Sequence, residues 1–106
     1  MDEENFTKEI SELKKGDLVE LVLTFDAKRN IFQGKEFYLP NPELATERTH
    51  LIEPQKHSGY VTGINKNFLS LNNEWSEKDA KYCEKNKVEI GGIKYHFSVI
   101  DFIKRR

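Results

Sequence analysis

The feature that most constrains the fold is a change of phase in the apolar pattern of residues 93–103. Four apolar residues alternate with polar ones, and two more follow in the opposite phase: Ile93, Tyr95, Phe97, Val99, Ile100 and Phe102. Because successive strand residues point to opposite faces, a change of phase requires a bulge or a corner. The pattern predicts strands at 88–98 and 99–104 with a corner near Ser98–Ile100, a device by which small barrels turn.

The rest of the sequence predicts two helices and three further strands. Phe6, Ile10 and Leu13 share one helical face, and Gly16 is a suitable helix stop. Apolar residues alternate after Gly16, as in a strand with one buried face. The predicted elements are a helix at 3–15, strands at 17–25, 59–65 and 67–72, and a short charged helix at 76–86.

Two segments allow less regular interpretations. Gly91-Gly92 separates two short apolar runs, a pattern that indicates a hairpin between 88–90 and 93–95. Residues 26–58 are predicted to form an inserted long loop. A short strand at 37–39 within it is expected to pair with Ile31-Phe32 across a turn at Gly34.

Length, charge and hydropathy limit the class of protein. A chain of 106 residues is enough for one domain, so we expect a single domain over 1–106. The sequence has no apolar run of the length that a membrane helix needs, and its N-terminal residues are acidic rather than apolar. We therefore expect a cytoplasmic protein without a membrane span. The net charge of −1 opposes bulk electrostatic binding of nucleic acid but permits a local basic patch.

The sequence carries no recognisable catalytic or metal-binding motif. The histidines and the single cysteine lack the close spacing of zinc ligands, and Gly91-Gly92 lies between predicted strands rather than before a helix. No serine or cysteine stands in a nucleophile motif. We expect a protein that is not an enzyme and that needs no cofactor.

Two segments resemble the signatures of a known family. Residues 59–72 have the sequence Gly-Tyr-Val-Thr-Gly-Ile-Asn-Lys-Asn-Phe-Leu-Ser-Leu-Asn, and residues 93–103 have Ile-Lys-Tyr-His-Phe-Ser-Val-Ile-Asp-Phe-Ile. In this order, and after a helix and a strand, they resemble the two signatures of Sm-like proteins, the second especially in the bacterial host-factor (Hfq) branch. The resemblance implies a mainly β fold, a small Sm-like or SH3-like five-stranded barrel with an N-terminal helix. The 26–58 insert has no counterpart in the minimal family.

The same resemblance implies a function and a set of residues. Sm-like proteins form homo-oligomeric rings and bind single-stranded RNA at the turn between their second and third strands and at the corner loop. Carried over to this sequence, the RNA-binding positions are Lys66 and Asn67 at one turn and Tyr95 and His96 at the other. Leu69 stands where the Sm pocket has a polar base reader, so the eukaryotic-type uridine pocket is not expected.

A second interpretation comes from the insert and the aromatic residues. A barrel whose 26–58 loop grips a peptide or a partner subunit would be a protein-interaction module instead. Aromatic residues on alternating strands are more often core or interface than base-stacking platforms. The basic tail Lys104-Arg105-Arg106 fits either a phosphate-binding patch or a solubilising end. Alanine at Lys66 and His96 separates the two interpretations.

Overall fold

The computed structural model of the protein describes residues 3–41, 43 and 55–106. Its elements follow one another along the chain as helix α1 (Glu3–Glu12), strands β1 (Leu18–Leu23), β2 (Ala27–Phe32), β3 (Lys35–Pro40), β4 (Lys56–Ile64) and β5 (Phe68–Asn72), helix α2 (Glu77–Lys85), strand β6 (Ile93–His96), a 3-10 turn (Phe97–Val99) and strand β7 (Ile100–Arg105). The 3-10 turn lies where the change of apolar phase predicts a corner.

The described strands form one mixed sheet in the order β2-β3-β6-β5-β4-β1-β7. Neighbouring strands are antiparallel except β3 and β6, which are parallel. The mainly β prediction is confirmed. The sheet is not closed, however, and β2 and β7 occupy its two edges, so a closed five-stranded barrel is not confirmed.

The core follows from the alternation within β1. Val19, Leu21 and Leu23 are buried, whereas the residues between them are partly exposed. In β5, Leu69 and Leu71 belong to the same core, and Ser70 between them is buried as well. The helix predicted at 3–15 ends at Glu12, and its apolar stripe packs against this core through Phe6 and Ile10, with Leu13 buried just after the helix. Burial of one apolar face against a helix is what stabilises such a sheet.

The 26–58 segment contains regular strands, which corrects the prediction of one long loop. The short hairpin expected across Gly34 extends over all of β2 and β3. Gln33 and Gly34 both have positive φ angles, 51° and 77°, as a type I′ turn requires. Strand β4 then begins at Lys56, inside the predicted loop. The rest of that loop lies outside the described residues.

The predicted strand 88–98 and its Gly91-Gly92 hairpin are wrong. Only Ile93–His96 is a strand, and neither glycine has a positive φ angle. Strand β6 has β5 hydrogen-bonded on one side and β3 on the other. The edge on which 88–90 would have paired is therefore occupied by a strand more distant in sequence.

Candidate nucleic-acid interface

One face of the sheet carries aromatic and basic side chains across four neighbouring strands. Strand register fixes its members, because paired residues share a face and alternate residues of a strand return to it. We call it the aromatic-basic face, and it comprises Lys28, Asn30 and Phe32 of β2, Lys35, Phe37 and Leu39 of β3, Lys94 and His96 of β6, and Phe68 and Ser70 of β5.

A row of three rings crosses the middle of the aromatic-basic face. The Phe37 and Phe68 ring centroids are 5.8 Å apart, and those of Phe68 and His96 are 5.2 Å apart. Both pairs are edge-to-face, and all three side chains are partly exposed. A row of partly exposed rings held by neighbouring strands can stack on planar groups such as nucleobases.

The β4–β5 turn is attached directly to this row. The Asn65 side-chain oxygen accepts hydrogen bonds from the backbone N–H groups of Asn67 and Phe68, at 2.8 and 2.7 Å. The carbonyl of Asn67 in turn accepts from the N–H of Phe97, at 3.0 Å. These bonds hold the exposed Lys66 and Asn67 next to His96, so the structure brings three of the four residues implied by the resemblance to one end of the sheet.

His96 has a defined ring orientation. Its Nδ1 accepts the backbone N–H of Ser98, at 3.2 Å, and lies 2.7 Å from the Ser98 hydroxyl. Because a backbone N–H can only donate, the neutral ring carries its proton on Nε2. Nε2 can therefore donate to an acceptor such as a phosphate or a base carbonyl.

Among the described residues, the strand positions of the aromatic-basic face include three lysines, one histidine and no acidic residue. Lys94 is paired with Glu89 of the α2–β6 connection, and this hydrogen bond lowers the pKa of Glu89. Lys35 lies 3.6 Å from the same carboxylate, and both side chains are more than half exposed. Such an exposed pair contributes little. Lys28, Lys35 and Lys66 thus leave a local positive charge on a chain whose net charge is −1.

Tyr95 lies on the opposite, buried face, away from Lys66, Asn67 and His96. It is 2% exposed, its ring stacks on Tyr38 at 5.0 Å, and its hydroxyl lies 2.8 Å from Nδ1 of His57. Burial is the main cause that raises the pKa of Tyr95, and the nearby Tyr38 and Glu36 add to it. The hydroxyl therefore stays protonated and can donate a hydrogen bond to the neutral His57 ring. In this position Tyr95 supports the core and offers RNA no surface.

The buried environment of His57 makes stability depend on pH. Burial lowers the pKa of His57 from its ordinary value of about 6.5. The unfolded chain then binds more protons than the folded one just below that value, so stability is full above pH ~6.5 and falls as the pH drops through the lower folded value. We expect the urea midpoint to fall between pH 7 and pH 5.

The test variant for this prediction is His57→Gln. Glutamine at 57 can still accept a hydrogen bond from the Tyr95 hydroxyl but does not titrate, so the midpoint should become flatter with pH. An unchanged slope in His57→Gln would show that another group causes the pH dependence.

Sequence reasoning missed Phe37, Lys28 and Lys35 as members of the interface. All three lie in the 26–58 segment predicted as an inserted loop. Phe37 belongs to the short strand predicted at 37–39, but Lys28 and Lys35 lie outside the predicted strand pair, and no neighbour beyond that pair is predicted. The available signal was the alternation on either side of Gly34, Lys-x-Asn-x-Phe before it and Lys-x-Phe-x-Leu after it. Extending the short hairpin by this alternation would have placed them on one face of the β2–β3 pair, whereas their position beside Phe68 and His96 depends on the pairing of β3 with β6.

No protein-family model matches this chain, and no significant match was found among curated proteins or solved structures. The resemblance to Sm-like proteins therefore remains a prediction from the sequence. Within the described part of the chain, neither helix has the length and apolar character needed to cross a membrane. Over the described residues, the structure defines a mainly β fold with a mixed seven-stranded sheet and an aromatic-basic face.

Proposed function

We propose that the protein is a non-enzymatic module that binds single-stranded RNA on its aromatic-basic face. The observation that carries this proposal is the row formed by Phe37, Phe68 and His96, flanked by lysines. Proteins that bind single strands combine aromatic platforms for successive bases with a positive surface for the backbone. The lysines supply that surface locally, so the acidic net charge does not oppose binding there.

The position of the β4–β5 turn indicates the path that a bound RNA would take across the sheet. Lys66 and Asn67 lie at one end of the ring row and Lys28 and Lys35 on the other side of it, on β2 and β3. An RNA strand that crosses the row of rings would have a lysine for its phosphates on each side of the row. Each base stacked on a ring contributes about 1–3 kcal/mol, and each phosphate contact adds salt dependence.

The order of elements supports the finer proposal of an Sm-like module. Helix α1, strand β1, the tightly turned pair β4–β5, and β6 and β7 joined at a corner follow the chain order of that family. The five strands are contiguous in the sheet, as β6-β5-β4-β1-β7. The β2–β3 hairpin is then an insertion that adds two strands beyond β6.

A homo-oligomeric ring, the other expectation from the resemblance, would use particular edges. Strand β3 already pairs with β6 at Phe37–Lys94 and Tyr38–Tyr95. The edges left open in the described sheet are those of β2 and β7. A ring would therefore form by pairing β2 of one copy with β7 of the next, which would satisfy both edges.

A protein-interaction module is the second candidate, and one observation favours it. Ile31 and Phe32, beside the β2–β3 turn, are 63% and 67% exposed. Two large, exposed apolar side chains at a hairpin tip offer a contact surface for a peptide or a partner subunit. Substitution of Ile31, which lies on the face opposite the aromatic-basic face, would affect partner binding and leave RNA binding intact.

The experiment measures binding of fluorescein-labelled single-stranded RNA of ~12 nucleotides, of oligo(U) and oligo(A), by anisotropy over a series of salt concentrations. That length is within the site size of single-strand-binding domains. We expect Lys66→Ala to weaken binding to both sequences and to lower the salt slope by about 0.7, the value for one phosphate contact on a single strand. His96→Ala should weaken binding to both sequences, because it removes one ring of the row and a hydrogen-bond donor.

Lys78→Ala is the matched control, since Lys78 is exposed on α2 and is not one of the residues of the aromatic-basic face. It should retain wild-type affinity. Absence of RNA binding by the wild type, or equal affinity in all four proteins, would refute the proposal and leave the hairpin-tip candidate.

A further inference from the structure

A concave site lies at the connection between β5 and β6. It is a pocket of about 440 Å³ between the end of β5 and the start of α2. Its wall includes two aromatic rings, Tyr60 and Trp75, one aliphatic side chain, Ile90, and two carboxylates, Glu74 and Asp79. The volume lies within the roughly 300–1,000 Å³ of small-ligand sites.

We propose that this pocket binds an alkylated ammonium group, a cation that carries methyl groups or an alkyl stem. Such a group combines a positive charge with an apolar surface, and it is attracted to the faces of tryptophan and tyrosine rings. Tyr60, Trp75 and Ile90, all partly buried, offer the apolar contact. Glu74 and Asp79 offer the opposite charge. The site is separate from the aromatic-basic face and does not depend on RNA binding.

The charge of the pocket selects a cation over a nucleotide. The described residues that line it include two carboxylates and no lysine, arginine or histidine. Neither carboxylate has an ion-pair partner among the described residues. The start of helix α2 contributes only about half a positive charge, which falls off within one turn. Two full negative charges outweigh it, so a phosphate would be repelled here.

Trp75 is held in place by contacts on its other side. Gly16 has a φ angle of +94°, and a Cβ atom there would lie 2.9 Å from the indole ring. The glycine thus leaves room for the ring to pack against the turn after α1. The indole Nε1 lies 3.5 Å from a Glu77 carboxylate oxygen. A ring that is already fixed loses little entropy when a ligand binds.

The emission of Trp75 reports on this pocket directly, because it is the single tryptophan of the chain. The full chain is titrated with choline, with capped trimethyl-lysine, with capped unmodified lysine, and with 3,3-dimethylbutanol, a neutral isostere of choline. We expect a saturable change of emission with a methylated cation, and binding of the neutral isostere at least about tenfold weaker. The tighter of choline and trimethyl-lysine identifies the source as a free metabolite or a modified side chain.

Variants then test each part of the wall. Asp79→Asn and Tyr60→Leu should each weaken cation binding by about three- to tenfold, whereas Glu84→Gln, on the same helix but outside the pocket, should not. Asp79→Asn keeps the size of the side chain and its fold is checked by circular dichroism. The proposal is overturned if no cation changes the emission, if the neutral isostere binds as tightly, or if uridine monophosphate competes for the site.

Discussion

We expect Leu21→Ala to lower the free energy of unfolding by about 2–5 kcal/mol. Leu21 is fully buried in β1, between β4 and β7, where it is paired with His57 and Ile103. Removing its side chain loses apolar burial and leaves a cavity that the two flanking strands can fill only in part. A domain of this size has a total stability of only about 5–15 kcal/mol, so the variant should be close to unfolding at 37 °C.

Urea unfolding followed by circular dichroism measures this effect. Ile31→Ala is the matched control, because Ile31 is also an aliphatic strand residue but is 63% exposed. It should stay within about 0.5 kcal/mol of the wild type, as surface substitutions usually do. Equal losses in the two variants would contradict the placement of β1 at the centre of the core.

The features that the sequence predicts well are local in origin. The buried alternation in β1 and the stripe of α1 each depend on a few consecutive residues, and both appear in the structure. The 3-10 turn at Phe97–Val99 follows from the change of apolar phase. In each case the nearest neighbours in sequence are sufficient to determine which face is buried.

The prediction at Gly91-Gly92 failed because strand pairing is a competition for edges. The local signal for a hairpin was strong, since two glycines separated two β-prone runs. Strand β3, more than fifty residues earlier, nevertheless occupies the edge of β6 by parallel pairing. Parallel pairing has no local turn signal, so a single sequence does not announce it. The preference of Val88–Ile90 for a strand was overridden by this distant partner.

The pairing of β3 with β6 also determines how much of the interface could be predicted from the sequence. The sequence could identify Lys66, Asn67 and His96 because they lie in or next to elements with clear local patterns. Phe37 joins them only through the β3–β6 pairing. The resemblance assigns Tyr95 to the RNA-binding positions. Its alternation with Lys94 and His96, however, places it on the opposite face, with Ile93 and the core. Alternate residues of a strand lie on opposite faces of the sheet. The face on which a residue lies is therefore a better guide to its function than its neighbours in sequence.

The largest expected effect on RNA binding comes from the two phenylalanines of the ring row. The double variant Phe37→Leu, Phe68→Leu should lower RNA affinity by about thirtyfold or more, since each stacked base contributes at least about 1 kcal/mol. Leucine preserves most of the apolar volume, so the fold should be retained and the loss should reflect the missing π faces. Anisotropy with the labelled single-stranded RNA measures it, and the salt slope should stay unchanged because no phosphate contact is removed.

Tyr82→Leu is the matched control for this variant. Tyr82 is also an exposed aromatic residue, at 64%, but it lies on α2 and outside the sheet. It should bind RNA like the wild type. A double variant that binds normally while Lys66→Ala binds weakly would mean that RNA is held by charge alone, and the aromatic row would then be a structural feature of the sheet. Loss of affinity in the double variant with an unchanged salt slope would separate base stacking from phosphate binding, with the rings of β3 and β5 responsible for the first and the lysines for the second.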